Sequence, residues 1–217
     1  MREEIIRRIS EQKLIVIVRG IDLPYIVPLT EALYKGGIRL VEVTFDQTKK
    51  CPDEETCRKI TAMNEAFGDK MDFGAGTVLT PEQVKMAHDA GARFIISPDT
   101  NEDVIKCTRS LGMVSIPGAY TPTEIVNADR YGADFVKLFP ASNGGLAYYK
   151  ALTAPLAHIK LLYVGGVTLE TAAELSKGGV IGFGIGGAII NKTAVLNGDY
   201  DIVTKTAAAY LAAVHAS

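Results

Sequence analysis

Three ionisable residues close or interrupt runs that are otherwise largely apolar. Lys137 sits in Asp134-Phe-Val-Lys-Leu-Phe-Pro140, Glu42 in Leu40-Val-Glu-Val-Thr-Phe45, and Arg19 ends Leu14-Ile-Val-Ile-Val-Arg19. If these runs are strands, the two-residue period puts Ile15, Ile17 and Arg19 on one face, as it does Leu40, Glu42 and Thr44, and Phe135, Lys137 and Phe139. A lysine in such surroundings loses hydration in its charged form, and a nearby arginine depresses its pKa further. A neutral amine near pH 7 is the nucleophile that condenses with a ketone. A partly desolvated Glu42 carboxyl is suited to proton transfer, and Arg19 to forking onto a carboxylate. The structural alternative stands beside each reading: Lys137 and Glu42 as an ion pair that neutralises the interior, and Arg19 as an ordinary strand-ending residue.

Glycine pairs form a second constellation. Val164-Gly-Gly-Val-Thr168 and Gly184-Ile-Gly-Gly-Ala188 each follow a β-branched or apolar run. Backbone N–H groups in such loops can approach an anion closely because no Cβ intervenes, although the same glycines also suit tight turns. Gly74-Ala-Gly-Thr77 and Ser97-Pro98 add a rim of small residues, with Thr77 as a hydroxyl donor.

The elements that must position these groups are legible as eight short runs: 14–18, 40–45, 73–78, 93–97, 113–116, 134–139, 160–164 and 179–185. Between them lie segments of helical periodicity, among them 24–34, 53–67, 81–90, 101–111, 122–131, 146–152 and 169–177, with a last helix over 202–214. Thr80-Pro, Thr121-Pro and Thr168 have the character of helix starts, while Gly36-Gly37, Gly91, Gly112, Gly132 and Gly178-Gly179 stand where helices end. Strand and helix alternate eight times, which predicts a (β/α)8 TIM barrel as one domain over residues 1–217, with Arg2–Lys13 as an extra N-terminal helix closing its bottom. An open doubly wound sheet is the competing arrangement, but no G-x-G-x-x-G follows the first run.

Composition narrows the partners. The 217 residues include 23 basic and 25 acidic side chains, a net charge of −2, without basic clusters, so a small molecule is expected and nucleic acid is not. Cys51, Cys57 and Cys107 read as free thiols. His88, His158 and His215 are dispersed, and no metal site or cofactor is expected. No apolar run reaches the ~18 residues of a membrane span and no signal-peptide core is evident, so a cytoplasmic protein is expected.

In this order, Ile17-Val-Arg19-Gly20, Glu42-Val-Thr44, Gly74-Ala-Gly-Thr77, Ile96-Ser-Pro98, Ile116-Pro-Gly118, Lys137-Leu-Phe-Pro140, Val164-Gly-Gly-Val167 and the glycine-rich eighth run resemble the 2-keto-3-deoxy-6-phosphogluconate (KDPG) and 4-hydroxy-2-oxoglutarate (KHG) aldolase family. The resemblance implies a class I, Schiff-base aldolase without a metal, usually a homotrimer, that forms pyruvate from a 2-keto acid. It implies Lys137 as the Schiff-base lysine and Glu42 as the proton shuttle. Arg19, Thr77, Pro98 and Phe139 are implied in the pyruvate pocket, and Gly165, Gly166, Gly186 and Gly187 around the phosphate. Two positions depart from the best-known gluconate members: Asp46-Gln47 stands where an arginine is expected, and Ala188 where a serine is. A phosphogalactonate substrate, a non-covalent sugar-phosphate isomerase or epimerase, and a keto-acid-binding barrel are the alternatives.

Overall fold

The computed structural model describes residues 2–216; residues 1 and 217 of the expected domain lie outside them. Nine short parallel strands follow one another around a barrel: β1 (Leu14–Val18), β2 (Leu40–Thr44), β3 (Asp72–Gly76), β4 (Phe94–Ile96), β5 (Val114–Ile116), β6 (Gly118–Ala119), β7 (Val136–Leu138), β8 (Leu161–Val164) and β9 (Phe183–Ile185). Their neighbour order, β5-β4-β3-β2-β1-β9-β8-β7-β6, returns to where it began. The count of eight staves holds because β5 and β6 are one stave interrupted at Pro117, which has no N–H for the ladder. Gly118 must follow, since a Cβ there would collide with the backbone of Pro98 on the adjacent loop.

The strand pattern divides two cores. One row of side chains faces outward, including Val16, Val41, Phe73, Ile95, Val136 and Tyr163, and packs on the helices. The other fills the lumen with Ile15, Leu40, Phe94, Val114, Phe135 and Leu162 below and Ile96, Ile116 and Val164 above. Helix α1 (Arg2–Gln12) lies across the lower opening and inserts Ile5 and Ile9, one helical turn apart, into that luminal core.

Helices α2 (Ile26–Lys35), α3 (Asp53–Phe67), α4 (Pro81–Asp89), α5 (Glu102–Ser110), α6 (Pro122–Tyr131), α7 (Gly145–Thr153) and α8 (Leu169–Lys177) surround the barrel. The hydroxyls of Thr80, Thr121 and Thr168 accept from the third residue of α4, α6 and α8 as the sequence predicts. Gly37, Gly91, Gly112, Gly132 and Gly179 all have positive φ, as chain reversal after each helix requires. Two expectations need correction. The eighth run begins at Phe183, not at Gly179, because Gly179 is still completing the turn out of α8. A six-residue helix, α9 (Lys192–Asn197), precedes α10 (Tyr200–Val214), which starts two residues earlier than the periodicity predicts. No helix among the described residues is long and apolar enough to cross a membrane.

Candidate active site

The luminal row that carries Ile15 and Leu40 at its base carries charge at its top. Glu42 lies on β2 between Ile17 of β1 and Gly74 of β3 in register. Lys137 lies on β7 between Gly118 of β6 and Leu162 of β8. Four neighbour steps separate β2 from β7, half the circumference, so the two residues face each other across the lumen. Both are almost fully buried, and both line a small void walled by Ile15, Ile17, Ile96, Ile116, Leu162 and Val164.

They do not form a salt bridge, and Glu42 Oε2 is buried without a hydrogen-bond partner. Burial raises the Glu42 carboxyl to about 7, against the opposing pull of the Lys137 and Arg19 charges. Burial likewise pushes the Lys137 amine down; the Glu42 charge counters this and Arg19 reinforces it. The Lys137 ammonium lies 4.6 Å from the centre of the Phe139 ring. The two shifts bring the carboxyl and the amine toward each other in acidity, and a lysine that gives up its proton here is a nucleophile.

Gly76 makes room for this carboxylate. An ideal Cβ on Gly76 would fall 2.7 Å from Glu42 Oε1 and closer still to its other carboxyl atoms, so only a residue without a side chain lets Glu42 lie against β3. The sequence pattern marks Gly76 as part of a rim, but not as the seat of the carboxylate. That contact lies across two strands and leaves no local signal.

Above Lys137 the lumen opens into a cavity of about 570 Å³ at the carboxyl ends of the strands. Arg19, Phe139, Gly165, Gly166, Gly186 and Gly187 all form its wall, together with Lys137 as its floor. Gly165 and Gly166 have φ of 101° and 69°, and any side chain on Gly166 would collide with Ser142. The backbone N–H groups of Gly165, Gly166, Gly187 and Ala188, on the two loops that wall the cavity, have no protein acceptor among the described residues. Thr77 reaches the cavity through Arg19, whose Nη2 donates to Thr77 Oγ1 at 3.4 Å. Thr77 holds a φ of 56°, a strained state for a β-branched residue. Pro98 stands back from this cavity, on the β4–α5 loop against Gly118.

The two departures have structural consequences. Asp46 is occupied within its own turn, accepting from the N–H groups of Thr48 and Cys51 and from the Thr48 hydroxyl. Gln47 donates to the Thr77 carbonyl at 2.9 Å. Neither supplies a cation, so Arg19 is the guanidinium of the cavity wall. Ala188 lines the wall without a hydroxyl, but Lys192, at the start of α9, also lines it. The sequence does not mark Lys192, because six residues carry too little periodicity to reveal the helix that presents it. Among the described residues no cluster of three or more histidines, cysteines or carboxylates forms a metal site.

The family model of the KDPG and KHG aldolases matches residues 5–206. This chain belongs to that family. Its activity class is therefore that of an aldolase, a carbon–carbon lyase. It is 38% identical over 174 residues to the 2-dehydro-3-deoxy-6-phosphogalactonate aldolase of Escherichia coli, covering 80% of this chain and 82% of the relative. It is 37% identical over 180 residues to the 2-dehydro-3-deoxy-phosphogluconate aldolase of Treponema pallidum, covering 82% of each. Its fold is similar to a crystal structure of KDPG aldolase from Legionella pneumophila with pyruvate captured at low pH as a covalent carbinolamine intermediate. The TM-score is 0.83 at 28% identity, over 92% of this chain and 94% of that one.

Proposed function

We propose that this aldolase cleaves 2-keto-3-deoxy-6-phospho sugar acids, the gluconate or galactonate form, to pyruvate and glyceraldehyde 3-phosphate through an iminium on Lys137, and 4-hydroxy-2-oxoglutarate to pyruvate and glyoxylate by the same steps. The observation that carries this reading is the buried pair left apart: Glu42 Oε2 has no partner and Lys137 has no counter-ion in contact. A structural pair would close, because two desolvated charges gain most when they touch.

In the proposed cycle the neutral Lys137 amine attacks the C2 ketone to give a carbinolamine. Glu42, titrating near neutrality, delivers the proton with which the C2 hydroxyl leaves as water, and the iminium forms. The Glu42 carboxylate then removes the C4 hydroxyl proton, directly or through one water. The C3–C4 bond breaks, its electrons pass into the iminium, and the aldehyde departs. Glu42 returns the proton to C3 of the enamine, and hydrolysis releases pyruvate and Lys137. Arg19 holds the substrate carboxylate, with Thr77 fixing its guanidinium. Phe139 covers the ketone end, Pro98 supports the rim, and the Gly165, Gly166, Gly186 and Gly187 backbone receives the phosphate. The pyruvate carbinolamine of the Legionella relative supports the amine chemistry. Family membership also supports a homotrimer of one-domain subunits in the cytoplasm.

Borohydride reduction in the presence of pyruvate tests the reading. Mass analysis should place a stable adduct on Lys137, and Lys137→Ala should lose the adduct and at least about 10⁴-fold in kcat. A wild-type enzyme that cleaves its substrate without an adduct would instead support a non-covalent mechanism.

A further inference from the structure

The cavity above Lys137 is charged in one sense only. Its ionisable wall residues are Arg19, Lys137 and Lys192, with no aspartate or glutamate among them. Two of the three have assigned work: Arg19 is tied to Thr77, and Lys137 forms the floor beneath Phe139. Lys192 has neither a salt bridge nor a side-chain hydrogen bond among the described residues, which leaves its ammonium available. Its backbone is held, because the Asn191 side chain accepts from Ala194 N–H and anchors the first turn of α9. Its side chain runs back toward the β1–α2 turn, placing Nζ 3.7 Å from where a Gly20 side chain would begin. Gly20 has φ of 65° and offers only backbone there.

The free N–H groups of Gly165, Gly166, Gly187 and Ala188 can orient an anion but carry no net charge. Ala188 adds no hydroxyl to them. We infer that Lys192 is the specificity-determining cation of this barrel, which pairs with the dianionic phosphate at the far end of the substrate and makes the enzyme prefer phosphorylated 2-keto-3-deoxy acids over unphosphorylated ones. This inference rests on the aldolase reading and deepens it by naming the residue that selects between its phosphorylated and unphosphorylated substrates. A charge-assisted hydrogen bond at a partly wet rim corresponds to about 10- to 100-fold in affinity. Because the contact is remote from the breaking bond and equal in ground and transition states, it acts on KM more than on kcat.

The experiment compares wild type, Lys192→Met and Lys192→Arg on 2-keto-3-deoxy-6-phosphogluconate and 4-hydroxy-2-oxoglutarate. Lys192→Met should lower the ratio of the two kcat/KM values about 10- to 100-fold, mostly through KM of the phosphorylated acid, and Lys192→Arg should restore most of it. Calorimetric titration with inorganic phosphate provides a readout without turnover, and Lys192→Met should bind it at least about tenfold more weakly. A ratio within about twofold of wild type, or equal losses on both substrates, overturns the assignment. Failure of the aldolase reading itself is separately visible, as a wild-type protein that gives no pyruvate adduct with borohydride while phosphate binding still depends on Lys192.

Discussion

The two ends of the barrel bury charge in opposite ways. At the bottom, Asp72 is fully buried and accepts from Arg8 at 2.7 Å and Arg93 at 2.9 Å. Asp134 accepts from Arg2 and Arg109 through Oδ1 and from Ser115 N–H through Oδ2. Each carboxylate there has at least two donors, and each draws together segments distant in sequence: α1 with β3 and the residue before β4, and α1 with α5 and the chain just before β7. At the mouth, Glu42 is as deeply buried but keeps an oxygen without a partner, and the Lys137 ammonium lies over the Phe139 ring without a salt bridge. Desolvation without compensation costs free energy, so the mouth holds a destabilising arrangement that the bottom avoids. The contrast separates charges that hold the fold from charges left without partners, as the proposed proton transfer and nucleophilic attack require.

The widest separation between the two ends should appear in stability. Asp72→Ala leaves Arg8 and Arg93 facing a carboxylate-free cavity and should cost about 3 kcal/mol, the low end for a broken buried pair because both guanidiniums are about one-third exposed and can rehydrate. Activity per folded molecule should persist. Lys137→Met should do the reverse, holding or raising stability while abolishing turnover, since it replaces an unpaired buried amine with an apolar chain of similar length. Urea unfolding of both variants checks this, and an equal loss in both would erase the distinction between the ends.

An effect of similar size should appear with pH. The Glu42 carboxyl rises from 4.5 in the unfolded chain to about 7 in the fold. Between those values the folded protein binds the extra proton, so the Glu42 contribution to stability is greatest below about 4.5 and falls as pH rises through about 7. The amount is about 3 kcal/mol. Lys137, with its pKa lowered, opposes this at higher pH: its penalty is relieved as pH rises through its depressed folded value toward 10.5. Thermal unfolding of Glu42→Gln against pH should therefore lack the decline between about 4.5 and 7. If variant and wild type run parallel through that window, the unpaired carboxylate is not titrating as described.

How much of this is legible in the sequence follows from the range of the signals. The period of two assigns Ile17, Glu42 and Lys137 to the lumen, and the helix caps at Thr80, Thr121 and Thr168 are local, so the eight staves and their facing residues can be read directly. The arginine clamps at the bottom cannot, because Arg8 and Asp72 are 64 positions apart and Arg2 and Asp134 are 132 apart. The start of β9 is obscured because Val180 and Ile181 look like strand residues while the chain is still leaving α8. Lys192 is hidden by the shortness of its helix. Gly76 is visible as a glycine, but its reason is a carboxylate on the neighbouring strand.

That last contact gives the finest test of the mouth. The backbone of Gly76 does not need a positive φ, so alanine is conformationally allowed there, and the obstacle is the Glu42 carboxylate itself. Gly76→Ala should displace that carboxylate within the mostly apolar void it shares with Lys137, at an overpacking cost of about 1–3 kcal/mol. If Glu42 is the general base of the proposed cycle, moving it by up to about 1 Å should lose on the order of 10- to 100-fold in kcat. The borohydride adduct of pyruvate on Lys137 should still form, more slowly, because the amine is untouched. Gly74→Ala provides the contrast on the same strand: its Cβ meets Phe94, not Glu42, so it should disturb packing while leaving the pH dependence of kcat unaltered. If the two alanines shift the pH profile alike, the Glu42 position is not what Gly76 protects.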